Sequence, residues 1–370
     1  MDENEVRDLL LRAERIVREN YALGEFLSVE EIHGGYINRS FVLNVKANDL
    51  EVKYAIRRYN PSTLEDDVRF EHAVITHLRK NGFELAARVI PKKDNGTYVR
   101  EQLHVEGQEV GRFWALFEFL RGVVQYTFVE THLSEAELTD SAETLARLHQ
   151  AGRDFAVAAG AGQARPKIMD FLPTFREAYS EYTRAAGKTR FDEWFLGHRD
   201  EILQRVDRAI IPDVDLHGMP ELPIHGDYHQ GNMTYEGSRV AGVFDFDWTK
   251  VDIRLFDVAQ ALLYFCARWD GEEAGSLDLE RVVLFLKSYN EACKGAAFPG
   301  PLTAAEQAYM PLMLAGASLF VLHVVIQSFY DTEDADVDDW LMAVNHYMRV
   351  MHWMEEEKDC IADGTRSACT

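Results

Sequence analysis

Between Leu222 and Ala259 the chain reads LPIHGDYHQGNMTYEGSRVAGVFDFDWTKVDIRLFDVA. Asp227 is followed five positions later by Asn232, and thirteen positions after that by Asp245, in an apolar run from Val240 to Phe246 expected to form a short strand that ends in acids. A carboxylate able to accept a proton from an alcohol, with an amide oxygen and a second carboxylate to hold Mg²⁺, is the equipment of phosphoryl transfer. Hard oxygen ligands suit Mg²⁺, which keeps several waters and bridges nucleotide phosphates. A single loop Asp is an ordinary turn former or helix cap. The joint pattern has few structural reasons to occur: His225, Gly226, Asp227, four residues, Asn232, then a strand closing on Asp245, Phe246 and Asp247.

On these residues the chain resembles the aminoglycoside phosphotransferase and choline kinase superfamily, small-molecule kinases that share the bilobal protein-kinase-like fold. His225, Gly226, Asp227 and Asn232 fit its catalytic-loop motif, and Asp245, Phe246 and Asp247 its metal motif. Asp257, followed by Val258 and Ala259, matches the acid that opens the next helix and buttresses the catalytic loop. The resemblance implies that Asp227 is the catalytic base, that Asn232 and Asp245 ligate magnesium, and that Asp247 supports them or holds a second metal. It also implies ATP as donor. The wording of the segment is closest to the homoserine-kinase-like branch, so homoserine is the first expectation for the acceptor, with choline or ethanolamine, amino sugars and aminoglycosides as alternatives.

The N-terminal part carries matching positions. Tyr54, Ala55, Ile56 and Arg57 stand where the family's third strand presents a Lys to the α and β phosphates, which puts Arg57 in that role. Arg stays protonated and bridges phosphate oxygens bidentately. Arg58 takes the place instead if the strand register shifts by one. Glu71, in the following helix, is the candidate partner for this cation. Gly34, Gly35 and Asn38 sit where backbone N–H groups could approach phosphates, although no G-x-G-x-x-G is present. Phe117 to Leu120, with Glu118 and Leu120 supplying backbone groups, resembles the hinge that recognises adenine. Gly187, Lys188 and Thr189 are not a Walker loop, because Tyr182 occupies the required first glycine.

The elements that must position these residues follow from periodicity. Val6, Leu9, Leu10, Ala13, Ile16 and Val17 mark an amphipathic opening helix. Glu30 to Val45 reads as two strands around Gly34 and Gly35, and Glu51 to Arg57 as a third after a turn at Asn48 and Asp49. Thr63 to Asn81 is helical and stops at Gly82. Ala87 to Ile90, Gly96 to Val99 and Phe113 to Leu120 read as strands, with Asp94, Asn95 and Gly96 as a hairpin signal. Beyond Gly122 the pattern turns helical, most clearly over Glu135 to Gln150, with an Ala- and Gly-rich loop at 158–164. The expected architecture is α+β and bilobal: residues 1–120 as a small antiparallel-sheet lobe with one key helix that binds nucleotide, and residues 121–370 as a larger, mainly helical lobe for catalysis and acceptor.

Composition narrows the function. The 370 residues are 47% hydrophobic and 27% charged, within the range of folded globular proteins. Thirty-nine basic against sixty-two acidic residues give a net charge of −23, which disfavours nucleic acid and anionic membrane. Four scattered cysteines without a C-x-x-C pair, and an acidic N-terminus, fit a reducing cytosol. The apolar stretch from Pro311 to Ile326, interrupted by Ser318 and His323, is expected to be a buried helix rather than a membrane span. A protein kinase is disfavoured: there is no H-R-D arginine, D-F-G glycine or A-P-E, and only eleven residues lie between Asp245 and Asp257. An inactive, nucleotide-binding kinase fold is disfavoured by the retained base and metal residues.

The acceptor pocket is expected after Asp257. Tyr264, Phe265, Trp269, Trp340, Tyr347 and Trp353 supply aromatics there, either as core or as a cage for an ammonium group. The run Asp331, Glu333, Asp334, Asp336, Asp338, Asp339 is either a solvated loop or an attractor for a cationic acceptor.

Overall fold

The computed structural model describes residues 3–32, 38–105, 108–130, 132–156, 165–332 and 337–369. Gly34, Gly35, the loop 158–164 and the acidic residues Glu333, Asp334 and Asp336 lie outside the described residues. Two compact units are present. The first contains Met1–Gly122 and Ala241–Asp247; the second contains Val123–Phe155, Arg165–Val240 and Trp248–Thr370. Residues 241–247, expected with the C-terminal part, therefore group with the sheet-bearing unit, which takes Asp245 and Asp247 with them.

The first unit runs α1 (Glu3–Asn20), β1 (Glu25–Ile32), β2 (Arg39–Ala47), β3 (Leu50–Arg58), α2 (Glu65–Lys80), β4 (Val99–Val105) and β5 (Gln108–Glu118). Its antiparallel sheet has the order β1-β2-β3-β5-β4. Strand alternation decides which side chains face which layer. Phe41, Leu43 and Val45 of β2, Ile56 of β3, and Trp114 and Leu116 of β5 are buried with Leu9, Ala13, Ile16 and Val17 of α1. Asn48 and Asp49 join β2 to β3 with φ of 50° and 63°, the double left-handed geometry of a type I′ hairpin turn. On β3, parity puts Ile56 and Arg58 on the Trp114 side and Arg57 on the other.

The hairpin expected at Asp94, Asn95 and Gly96 is a tight turn only, closed by Lys92 N to Gly96 O at 2.8 Å. Pro91 ahead of it lacks a donor. The strands that pair are β4 and β5, from Val99↔Trp114 to Val105↔Gln108. Residues 88–90 instead sit beside the end of β5, with Ile90 N to Leu116 O at 2.7 Å and Glu118 N to Arg88 O at 2.8 Å.

The second unit begins with α3 (Glu135–Ala151), whose Ser134 and Glu137 form a capping box. It continues through α4 (Ile168–Phe171), α5 (Phe175–Ala185), α6 (Arg190–Ala209) and α7 (Asp213–Leu216) to β6 (Glu221–Ile224) and β7 (Met233–Glu236). β8 (Arg239–Val243) carries the chain from this unit into residues 241–247. Then come β9 (Lys250–Ile253), α8 (Arg254–Cys266), the short β10 (Ala267–Arg268) and β11 (Ser276–Leu277), α9 (Leu279–Cys293), α10 (Ala304–Asp331), α11 (Val337–Glu356) and α12 (Lys358–Cys369). β6 pairs with β9, from Glu221↔Ile253 to Ile224↔Lys250.

Every residue of α8 is buried. Arg254 anchors its start in a fully buried pair with Glu306 of α10, at 2.7 and 2.8 Å, and donates to the Gly300 and Pro301 carbonyls. α10 is long and apolar enough to cross a membrane, but 67% of its most apolar 18-residue window is buried inside the protein.

Candidate active site

In the first unit Arg57 is the inward cation. Its Nη1 donates to Glu71 Oε1 of α2 at 3.1 Å, and its Nη2 lies 3.1 Å from Asp245 Oδ1. Arg57 is 9% exposed and Glu71 2%. Burial by itself would lower the Arg57 pKa, but the Asp245 and Glu71 carboxylates outweigh it and hold the guanidinium above its ordinary value. Tyr59 O–H donates to Glu71 Oε2 at 2.6 Å and also lies 3.1 Å from His72 Nε2. The carboxylate is thus held from both sides. Arg58 points away, over the Trp114 ring at 5.8 Å. Glu118 closes β5 with Oε2 at 3.5 Å from both Arg79 and Arg88, and Leu120 follows two residues later.

Asp245 does not close a strand. β8 ends at Val243, and Asp245 lies two residues beyond with φ +66°, a conformation that costs a non-glycine residue about 1–2 kcal/mol. The turn ends the strand early and re-aims the carboxylate toward Arg57. Despite that proximity Asp245 Oδ1 has no aligned hydrogen bond among the described residues. Asp247 Oδ2 accepts from Asn38 Nδ2 at 2.9 Å, while Asn38 Oδ1 accepts from Asn60 N at 3.0 Å. Asn38 therefore ties down the second acid of the pair.

In the second unit the loop after β6 carries Asp227. Gly226 has φ +78°, and a Cβ there would collide with the Trp248 carbonyl, so the turn requires glycine. Asp257, in the first turn of α8, accepts from His225 N and Gly226 N at 2.9 Å each, and from His149 Nε2 at 3.0 Å. His149 Nδ1 is 2.8 Å from Tyr289 O–H. Burial pushes the Asp257 carboxyl up, yet His149 and the backbone donors pull it below its usual range.

Asp227 is braced on both oxygens. Oδ1 accepts from Tyr264 O–H at 3.1 Å, and Oδ2 is 3.2 Å from Asn232 Nδ2 and 3.4 Å from His229 Nε2. Here too burial raises the carboxyl, and the His229 imidazole and Tyr264 hydroxyl outweigh it, leaving it below the ordinary value and ionised at neutral pH. Asn232 Nδ2 also donates to Asp227 O at 3.0 Å. With its amide nitrogen committed, Asn232 has Oδ1 left as a hard oxygen donor. Asp245 and Asp247 in the first unit, and Asn232 in the loop of the second, each carry the hard oxygen that Mg²⁺ with retained waters takes. No cluster of three or more His, Cys, Asp or Glu able to hold a metal occurs among the described residues.

His149, His229 and Tyr59 were not singled out from sequence, and Tyr264 was expected only as a pocket aromatic. A ring chain extends from the base. Phe128 packs edge-on to both His229 and Trp269, and Trp269 stacks on His346 at 3.6 Å and 7° with Tyr347 edge-on at 5.7 Å. Trp353 instead lines a surface cleft with Arg268 and Arg349.

Residues 28–280, more than half of the chain, match the family model described as "Phosphotransferase enzyme family". The chain belongs to that family. It is 26% identical over 306 residues to a homoserine kinase of Rhodopseudomonas palustris, covering 81% of this chain and 79% of that one. Its fold is similar to that of a microcompartment-associated aminopropanol kinase, with 16% identity, TM-score 0.64, and 95% and 98% of the two chains covered. It is also similar to the amicoumacin kinase hAmiN, solved with AMP-PNP, Ca²⁺ and Ami, with 14% identity, TM-score 0.64, and 95% and 96% covered. The α+β, protein-kinase-like fold and the small-molecule phosphotransferase class are therefore those of this phosphotransferase.

Proposed function

We propose that this phosphotransferase moves the γ-phosphoryl group of ATP to the hydroxyl of a small hydroxy amino acid or amino alcohol, homoserine first. The observation that carries the reading is the bracing of Asp227: an ionised carboxylate whose Oδ2 accepts from Asn232 Nδ2 and faces His229 Nε2 at 3.4 Å, while among the described residues Tyr264 is the one side chain that donates to Oδ1, which keeps a lone pair open. In this reading the acceptor hydroxyl gives its proton to Asp227 Oδ1 as its oxygen bonds to phosphorus. The bond from phosphorus to the bridging oxygen breaks, and its electron pair leaves with ADP. Arg57, oriented by Glu71, steadies the α or β phosphate from the sheet-bearing unit, and residues 118–120 take the adenine. Asn232, Asp245 and Asp247 are the residues that would hold magnesium, which would supply charge neutralisation at the phosphates.

The aromatic chain favours an acceptor with its own hydrogen-bonding groups over a quaternary ammonium. One face of Trp269 is covered by His346, which leaves at most the other face to an ammonium group. Trp269 Nε1, Tyr347 O–H and both His346 ring nitrogens are buried without partners among the described residues, a polar edge that a carboxylate or amine can satisfy. The similarity to homoserine kinase over most of the chain supports the same class.

The test is turnover of homoserine, 1-aminopropan-2-ol, choline and amino sugars with Mg-ATP, beside the Asp227→Asn variant. Homoserine or the amino alcohol is expected as best substrate, with turnover falling roughly 10²–10⁴-fold in the variant and nucleotide binding retained. Preference for choline or a neutral sugar overturns the acceptor assignment; near wild-type turnover by Asp227→Asn overturns the base.

A further inference from the structure

One side chain of the reactive loop has two different partners at its two nitrogens. His229 Nδ1 lies 3.0 Å from Gly231 N. A backbone N–H only donates, so Nδ1 carries the lone pair and the proton of the neutral ring sits on Nε2, which faces Asp227 Oδ2 at 3.4 Å. Nδ1 caps the one-turn 3₁₀ segment Gln230–Asn232, and Asn232 N returns to His229 O at 2.9 Å. The ring is held by Tyr264, at 4.9 Å between centroids, and by Phe128 at 6.3 Å. A Cβ on Gly231 would lie 2.9 Å from His229 Cε1 and 3.0 Å from Nδ1, so the ring itself imposes glycine at 231.

We propose that His229 is a positioning residue that couples the base to the metal-ligand turn: Nε2–H fixes the Asp227 carboxylate plane while Nδ1 fixes the turn that presents Asn232. This rests on the assignment of Asp227 and Asn232 above. With His229 in place, Oδ2 accepts from Asn232 Nδ2–H and faces Nε2–H at 3.4 Å, which leaves Oδ1 as the oxygen open to the acceptor. Without it the carboxylate can rotate about its Cβ–Cγ bond, and the oxygen facing the acceptor is no longer set.

Two half-isosteres separate the two jobs. In His229→Asn the amide oxygen stands near the place of Nδ1 and keeps the cap, but the donor to Asp227 is gone. In His229→Gln the amide nitrogen reaches the place of Nε2 and keeps the donor, but the cap is gone. His229→Asn is expected to lower kcat on the order of tenfold, the scale of one hydrogen bond to a charged group, with KM for Mg-ATP within about twofold. His229→Gln is expected to raise KM for Mg-ATP on the same scale with the smaller change in kcat. Equal effects of the two variants on both parameters would reduce His229 to a packing residue and overturn the proposal.

The tautomer gives a readout free of turnover. In ¹⁵N-histidine-labelled wild-type protein without nucleotide, the resonance pair missing from His229→Asn should show a protonated Nε2 and an unprotonated Nδ1. The opposite tautomer overturns the proposal whatever the kinetic constants of the two variants. If Asp227→Asn retains turnover while the tautomer is as stated, the base assignment fails and the bracing geometry survives, so the two failures are distinguishable.

Discussion

Replacing Arg57 by Ala should destabilise the sheet-bearing unit by about 3 kcal/mol, the lower end of the cost of leaving a buried charge without its partner. The lower end applies because Glu71, 2% exposed, retains the Tyr59 hydroxyl at 2.6 Å. Asp245 adds little, since a third of its side chain is exposed and water can replace the lost pair. Most of the penalty is the stranded Glu71 charge, so Glu71→Gln in the Arg57→Ala background should recover about half of it, about 1–2 kcal/mol. Arg58→Ala should cost no more than about 1 kcal/mol, the scale of a partly exposed cation–π contact with Trp114. Hydrogen exchange of peptides covering β3 and α2 is the suitable assay, because it reports this unit separately from the helical one. A loss of 3 kcal/mol appears there as protection reduced on the order of 100-fold. A larger loss for Arg58→Ala, or strict additivity of Arg57→Ala and Glu71→Gln, would refute the assignment of Arg57 as the inward cation.

Gly226→Ala should cost at least about 2 kcal/mol, because φ +78° is unfavourable for alanine and its Cβ meets the Trp248 carbonyl; an unchanged unfolding midpoint would contradict this. Burial lowers the His323 pKa to about 4, against an ordinary 6.5, so the unfolded chain binds the extra proton between those values. Its contribution to stability is therefore complete above pH 6.5 and is lost as pH falls toward 4, at about 1.4 kcal/mol per pH unit. His323→Phe, stacked on Phe175 as the imidazole is, should flatten the pH dependence of unfolding free energy by one proton in that window. Asp245→Ala should weaken Mg²⁺-dependent nucleotide binding more than Asp247→Ala, measured by calorimetry with and without the metal; equal losses would mean that the two acids share the ion.

The site was legible where its chemistry is written locally. Asp227 and Asn232 belong to one loop, and Arg57 and Glu71 occupy neighbouring elements, so type and spacing were enough to mark them. Whether Arg57 or Arg58 turns inward was not legible, because strand parity gives two faces and only the packing of α1 and α2 says which is which. His149 reaches Asp257 across 108 residues and Tyr264 reaches Asp227 across 37, contacts with no local signature. The displaced hairpin has a similar cause: Asp94, Asn95 and Gly96 encode a turn, but whether the flanks pair depends on β5, which supplies partners to β3 as well. The early end of β8 was hidden because Val240 to Phe246 is apolar throughout its first part, while the left-handed Asp245 leaves no trace in hydropathy.

Asp257 and Tyr264 stand on the same helix, seven residues or about 10 Å apart along α8, one gripping the backbone before the base and the other its side chain. Since every residue of α8 is buried, both grips on the loop come from a fully enclosed helix. A change of acceptor cannot easily be accommodated by shifting that helix. Laboratory selection for a new substrate should therefore gather its substitutions in the Ala267–Leu277 segment and along α11, where Trp269, His346 and Tyr347 reside, and leave α8 almost untouched.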